Sequence, residues 1–482
     1  MGEARVRAPE LPASLEWLNT EMPLRISELR GKIILLDFWS YCCINCMHVL
    51  PDLRYLENKY KENLAVIGIH SPKFPHEKVS ENVMKAINRY HIRHPVAHDP
   101  EMKLWRQYGI KAWPSIIFID AEGYVLGVLR GEGRRKQMDA LIQQHLEKAE
   151  QKDILNLDPV PLRTHPEPVS TLKFPGKILA TKNHLYISDS GHNRILETNY
   201  YGRVTQTFGS GAVGLLDGEG ENASFNNPQG MVLVNNYLYV ADTDNHAIRR
   251  IDIQRQEIVT IAGTGEQGRY EAMHYSEPLQ ARLNSPWDLA YQDGDLYIAM
   301  AGQHQIWKLD MTENHLTVLS GSGREDLVDG AAQDAALAQP SGICMGEYGL
   351  FFADAETSSI RFSRLPDGQV TTLVGKGLFE FGDQDGDANR ALLQHPMGVV
   401  YDRKTNLVYI ADTYNNKIKQ LNIKSKEISY IDAGPGLNEP GGLSLVDDTI
   451  WIANTNAHEI RRLNLKSRKI EVLEINEISR SF

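Results

Sequence analysis

Apolar and polar residues follow two different rhythms along the 482-residue chain. Up to about Glu150, short apolar runs alternate with stretches of helical spacing. Lys32–Trp39, KIILLDFW, is an unbroken apolar run of strand length and predicts a buried strand. Asn45–Tyr60 follows with helical periodicity, then Leu64–His70 as a second strand, Glu77–Tyr90 as a second helix and Met102–Tyr108 as a short one. Ser115–Asp120 and Tyr124–Leu129 flank Ala121-Glu122-Gly123, which predicts an antiparallel hairpin over a Gly turn. Arg134–Lys148 closes with a helix. A β-α-β unit, a hairpin and a final helix make an α/β sandwich over residues 1–150. Residues 151–168, with Pro159, Pro161, Pro166 and Pro168, predict a stiff linker.

Helical periodicity then disappears and the sequence repeats. Pro175, Pro228, Pro286, Pro340, Pro396 and Pro440 each open an apolar strand, at spacings of 44 to 58 residues. Asp189, Asp242 and Asp354 fall fourteen residues after their prolines and Asp412 sixteen after its own. Met300 and Asn454 hold that place in the third and sixth units. Asp217-Gly218, Asp329-Gly330 and Asp385-Gly386 each lie eleven residues before the next proline. Six strand-rich units of about 50 residues predict an all-β, six-bladed propeller over 169–482. A closed ring removes most exposed edges. Val169–Leu172 resembles a closing strand, which leaves the latching of the ring open. The repeated Asp residues read as local turn caps rather than metal ligands. Arg249, Arg250, Arg361, Arg461 and Arg462 read as paired surface charge.

Composition narrows the function classes. Hydrophobic residues make up 42% and charged residues 23%, which excludes wholesale disorder. No apolar run approaches the roughly 18 residues of a membrane span, and the first residues lack a secretory pattern, so the expected address is the cytosol, away from membranes. Residues 1–150 carry 21 Lys and Arg against 19 Asp and Glu; the remainder carry 30 against 43. An acidic larger part argues against a nucleic-acid partner. Three of the four cysteines cluster at Cys42, Cys43 and Cys46, with Cys344 alone. That is no disulfide framework; a tight cluster points to redox or metal chemistry.

Cys43 and Cys46 stand three apart where a predicted strand passes into a predicted helix. At a helix head, unpaired N–H groups and the helix dipole favour an anion at Cys43, while Cys46 falls one turn inside. A thiol of pKa near 8.5 is about 3% thiolate at neutral pH, and one shifted to about 7 is half thiolate, a roughly fifteenfold gain in nucleophile. His48 lies close enough for a Cys/Cys/His cluster, but no second pair completes four ligands, so neither metal nor cofactor is expected. His91, His94 and His98 read as a loop and a strand end.

The run ILLDFW ahead of the cysteine pair, Pro51 five residues after Cys46, and Trp113-Pro114 before a strand resemble a thioredoxin-fold domain. The six later units resemble NHL repeats. Together with the CCINC run, the chain resembles the family of NHL-repeat-containing protein 2. That resemblance implies Cys43 as attacking thiol, Cys46 as resolving thiol and Asp37 as the buried acid that moves their protons. It also implies Pro114 as a cis-proline against the disulfide, Trp113 as backbone offered to a peptide, and Trp39 as a third substrate contact. The departure is Cys42-Cys43-Ile44-Asn45-Cys46 in place of Trp-Cys-Gly-Pro-Cys, which leaves the reduction potential undetermined. Cys42 is a possible third thiol: a vicinal bridge to Cys43, a competing resolver, or a filler for the missing Trp. Two functions follow, a cytosolic thiol–disulfide oxidoreductase whose propeller holds a protein partner, or a redox-inactive adaptor in which both domains bind proteins.

Overall fold

The computed structural model describes residues 5–269 and 273–477. It divides into two compact units, residues 1–168 and 169–482.

The first unit is built on one six-stranded sheet. Its elements are β1 (Glu16–Leu18), β2 (Ile33–Trp39), α1 (Ile44–Tyr60), β3 (Leu64–His70), α2 (Ser80–Arg89), β4 (Val96–His98), α3 (Lys103–Gln107), β5 (Ser115–Ile119), β6 (Val125–Arg130) and α4 (Arg135–Gln151). The sheet order is β1-β4-β3-β2-β5-β6. β2, β3 and β4 run parallel, and β1, β5 and β6 pair antiparallel. β2 and β3 are buried along their whole length, as their unbroken apolar runs require. One sheet face packs Ile34, Leu36, Phe38, Ala65, Ile67 and Ile69 into a core. The opposite face carries Asp37 and Trp39, because side chains alternate along a strand. The expected second helix begins later than predicted, since Pro75–Lys78 forms a separate 3-10 turn ahead of α2.

Residues 151–168 are not a free-standing connection. Asn156 N–H bonds Gly31 O at 3.1 Å, Lys32 Nζ bonds Asn156 O at 2.9 Å, and Arg163 N–H bonds Asn19 O at 3.2 Å. Glu167 pairs with Lys85 at 2.5 Å. These bonds strap the segment to the first unit.

The second unit is a six-bladed propeller whose blades are antiparallel sheets of four main strands. The first blade runs Ile178–Ala180, Leu185–Asp189, Arg194–Thr198, Val204–Phe208, and the sixth ends with Lys469–Leu473. Each therefore takes its outer strand from its own unit, and Val169–Leu172 forms no strand. A repeated hydrogen bond latches blade to blade instead. A residue with φ near 50°, at the turn between second and third strands, accepts the N–H of the residue just before the next inner strand. Asn193 takes Asn227, His246 takes Ser285, His304 takes Gln339, Ser358 takes His395, and Asn416 takes Glu439. His458 closes the ring on Phe174 at 3.0 Å.

Within the blades, the repeated Asp residues and cations differ from expectation. Asp242 Oδ1 accepts Asn226 N–H at 2.8 Å, and Asp189, Asp354, Asp412 and Asn454 do the same two residues before their prolines. These are long-range latches, not local turn caps. Arg249 and Arg361 are wholly buried rather than surface charges. Each bonds the latch acid (Asp242, Asp354) and the Asp of the preceding Asp-Gly pair (Asp217, Asp329). Lys419 does the same for Asp412 and Asp385, and the third blade substitutes the apolar pair Met300 and Trp307.

Candidate active site

β2 ends at Trp39 and α1 begins at Ile44, so the cysteine run spans the junction. Cys43 is the N-cap of α1: its backbone is extended (φ −83°, ψ 112°) and its Sγ accepts the N–H of Cys46 at 3.3 Å. That is the place where a helix leaves donors unsatisfied. Cys43 is half-buried, whereas Cys42 and Cys46 are buried. Burial, and then the contact with Cys43, pushes the Cys46 thiol well above the usual cysteine range. A shielded second thiol behind a reachable first one is what sequential exchange at two sulfurs needs.

Asp37, also buried, lies on β2 below the pair. Neither carboxylate oxygen has a hydrogen-bond partner among the described residues. Burial raises its carboxyl to about 7; the charge of His94 works against that shift and that of Glu57 adds to it. The charge of Asp37 in turn raises Cys46. The two expected proton partners therefore interact.

The peptide bond Trp113–Pro114 is cis and leads into β5, whose Ser115 pairs with Phe38 of β2, so it lies at the sheet end that carries the cysteines. Trp113 is half-buried; its indole N–H bonds Ser71 O at 2.9 Å and its ring lies 4.4 Å from that of Trp105. Its backbone N–H and C=O make no hydrogen bond among the described residues. Trp39 departs from its expected role. It is 1% exposed, with its ring 5.0 Å from His70, so it is a core residue and meets no docked peptide.

Sequence reasoning missed a buried carboxylate beside the cysteines. Glu77 Oε1 accepts Ser40 Oγ at 2.6 Å and Cys42 N–H at 3.1 Å, while Oε2 accepts the N–H groups of Lys73 and Phe74. Ser40 Oγ also lies 3.0 Å from Cys42 Sγ. Glu77 thus ties the cysteine loop to the segment after β3. Pro72 and Pro75 around Phe74 were the available signal, since they fix a turn whose N–H groups need an acceptor.

His70, His94 and His98 are buried in this unit, whereas His91 is exposed. His70 Nδ1 lies 3.2 Å from His98 Nδ1, and burial, then the charge of His98, holds His70 well below its ordinary range. His48 turns to Glu132 rather than completing a cluster with the cysteines. The metal-type grouping among the described residues, Asp310, Glu313 and His315, sits on a turn of the third blade that Asp310 already caps through the Thr312 and Glu313 N–H groups. No helix among the described residues is long and apolar enough to cross a membrane.

Comparison with known proteins matches residues 31–125 to the family described as Thioredoxin-like and residues 283–309 to that described as NHL repeat. Thiol-disulfide oxidoreductase ResA of Bacillus anthracis is 27% identical over 121 residues, covering 25% of this chain and 68% of that protein. The Arabidopsis thaliana protein SUPPRESSOR OF QUENCHING 1, chloroplastic, is 40% identical over 476 residues, covering 91% of this chain and 45% of its own length. Human NHL repeat-containing protein 2 is 38% identical over 493 residues, covering 92% of this chain and 68% of the human one. With both units matched in one relative and in the same order, the chain belongs to the NHL repeat-containing protein 2 family.

Proposed function

We propose that the chain is a thiol–disulfide oxidoreductase in which Cys43 attacks, Cys46 resolves and Asp37 takes the resolving proton, with the propeller holding a protein partner. The observation that carries this reading is Cys43 at the head of α1, its sulfur receiving the Cys46 N–H and its surface half open. An anion formed there gains the first-turn N–H groups and the dipole. Cys43 would open a substrate disulfide to a mixed disulfide, and Cys46 would displace the substrate. The unused backbone groups of Trp113 are where a substrate strand would pair. The name of the ResA relative supports the same reaction class. The cysteine usage supports a reducing compartment, the cytosol first; a relative named as chloroplastic extends the choice to other reducing compartments.

The test is insulin reduction with dithiothreitol as electron source, comparing wild type with Cys43→Ser. Wild type should outpace the variant, which falls to background. Equal background rates would remove the enzyme reading and favour an adaptor in which both units bind protein. Trapping on Cys46→Ala, which cannot resolve, would then identify the partner by mass spectrometry.

A further inference from the structure

β2 and β3 run parallel with Asp37 opposite Gly68 and Trp39 opposite His70. Asp37, Trp39 and the open side of Gly68 therefore share one face of the sheet. A Cβ added to Gly68 would stand 3.0 Å from Trp39 Nε1, 3.2 Å from Val96 Cγ2 and 3.4 Å from His94 Nε2, so these groups close on the glycine. Both nitrogens, like both oxygens of Asp37, are buried and unpartnered among the described residues. Leaving a buried polar group unpaired costs about 1–3 kcal/mol, so four such atoms beside one glycine are a poor structural solution. They are a good lining for a group that passes protons. On its other side, His94 Nδ1 lies 3.3 Å from Glu57 Oε1, and the Glu57 side chain is 26% exposed.

We propose that the polar contact beside Gly68 is the proton outlet of the site, with His94 carrying the proton of Asp37 to Glu57 and so to solvent. The proposal rests on the oxidoreductase reading above. In the resolving step Cys46 gives its proton to Asp37, and its thiolate attacks Cys43 Sγ. The Cys43–substrate S–S bond breaks, the Cys43–Cys46 bond forms, and the substrate leaves as a thiolate that takes a proton from solvent. Two protein thiols are oxidised and one substrate disulfide is reduced. Asp37 now holds a proton with no exit through the apolar core. Beside Gly68 the unpartnered ring nitrogen is His94 Nε2, and it is the atom that takes the proton of Asp37. His94 acts through Asp37 and is a positioning residue of the proton route.

The titratable groups that interact with Asp37 are Cys46 and Glu57 on α1 and His94 ahead of β4. On the β5 side its register partner is Ile116, which carries no charge. His70 and His98, on β3 and β4, bond one another, with His70 against the Trp39 ring.

The experiment mixes the reduced full chain with excess dithionitrobenzoate and follows the two successive releases of thionitrobenzoate. The first reports attack by Cys43 and the second resolution by Cys46. In His94→Gln, which keeps a polar side chain but cannot relay a proton, the first phase should be unchanged and the second slowed about tenfold or more at pH 7. Gly68→Ala, whose methyl presses on Trp39 Nε1 and His94 Nε2 and removes no ionisable group, should slow the same phase. In His94→Ala, added imidazole should restore part of it. An unchanged second phase in both His94→Gln and Gly68→Ala overturns the proposal. Infrared titration of the Asp37 carboxyl separates the two readings. If wild type shows no second phase, the oxidoreductase reading fails by itself. The outlet is then judged by whether His94→Gln shifts the infrared titration of the Asp37 carboxyl, and an unmoved titration overturns it.

Discussion

Two fully buried carboxylates, one in each unit, are treated in opposite ways. Asp242 in the second blade receives Asn226 N–H, Asn245 Nδ2 and Arg249 NH1, each at 2.8 Å. Burial pushes it up to about 6 against the pull of Arg249 and these donors, so it remains mostly ionised at neutral pH. Asp37 has no such donor and is raised to about 7, where half of it carries a proton. Burial alone therefore does not mark a working acid. The propeller gives its acids donors and turns them into braces, whereas the sheet beneath the cysteines leaves its acid without donors, as the proposed proton transfer requires.

The largest effect should come from breaking a brace. Arg249→Ala leaves Asp242 as an uncompensated buried charge and strips partners from Ser224 O and Leu216 O. It should cost about 3–5 kcal/mol in urea unfolding. A loss below about 1 kcal/mol would mean that the brace is ornamental and the contrast with Asp37 empty. Asp37→Asn should act in the other direction. Folded Asp37 binds its proton more tightly than the unfolded chain does. Its contribution to stability is complete below the ordinary carboxylate value and is lost as pH rises through about 7. The full span is on the order of 4 kcal/mol. An unpartnered amide still costs something, so the variant should be about 2 kcal/mol more stable than wild type at pH 8 and no more stable at pH 4. Unfolding curves at the two pH values decide it; parallel losses in both proteins would show that Asp37 is not the titrating group.

The fold was legible because its signals are local and repeated. Unbroken apolar runs gave β2 and β3, and the spaced prolines marked the six inner strands. The cysteine pair was legible because ILLDFW and Pro51 flank it in sequence and Trp113-Pro114 stands ahead of a further predicted strand. What escaped depends on distant partners. Arg249 and Arg361 read as surface charges because nothing nearby in sequence announces that Asp217 and Asp329, about thirty residues upstream, reach them. Trp39 read as a substrate contact by resemblance alone, and nothing beside it in sequence announces that His70 covers it. Glu77 and His94 come from segments that carry no cysteine at all. Gly68 was the one readable hint, since a glycine inside the buried run LAVIGIH marks a place where something else comes close.

The smallest effect belongs to a third carboxylate that solvent already serves. Asp139 on α4 holds Lys59 Nζ at 2.7 and 2.8 Å and receives the Tyr60 hydroxyl, joining α4 to the end of α1. Lys59, then Tyr60, draw its carboxyl below the ordinary range. Such a group stabilises the fold above the ordinary carboxylate value and loses that effect as the pH falls through its lowered one. With Asp139 a quarter exposed and Lys59 more so, water and salt screen most of the attraction. Asp139→Asn should therefore cost less than about 1 kcal/mol at neutral pH, and less again at high salt. If it instead cost as much as Arg249→Ala, pairing itself would set the energy whatever the solvent. The difference between Asp37 and Asp242 would then reduce to a count of donors, with burial playing no part.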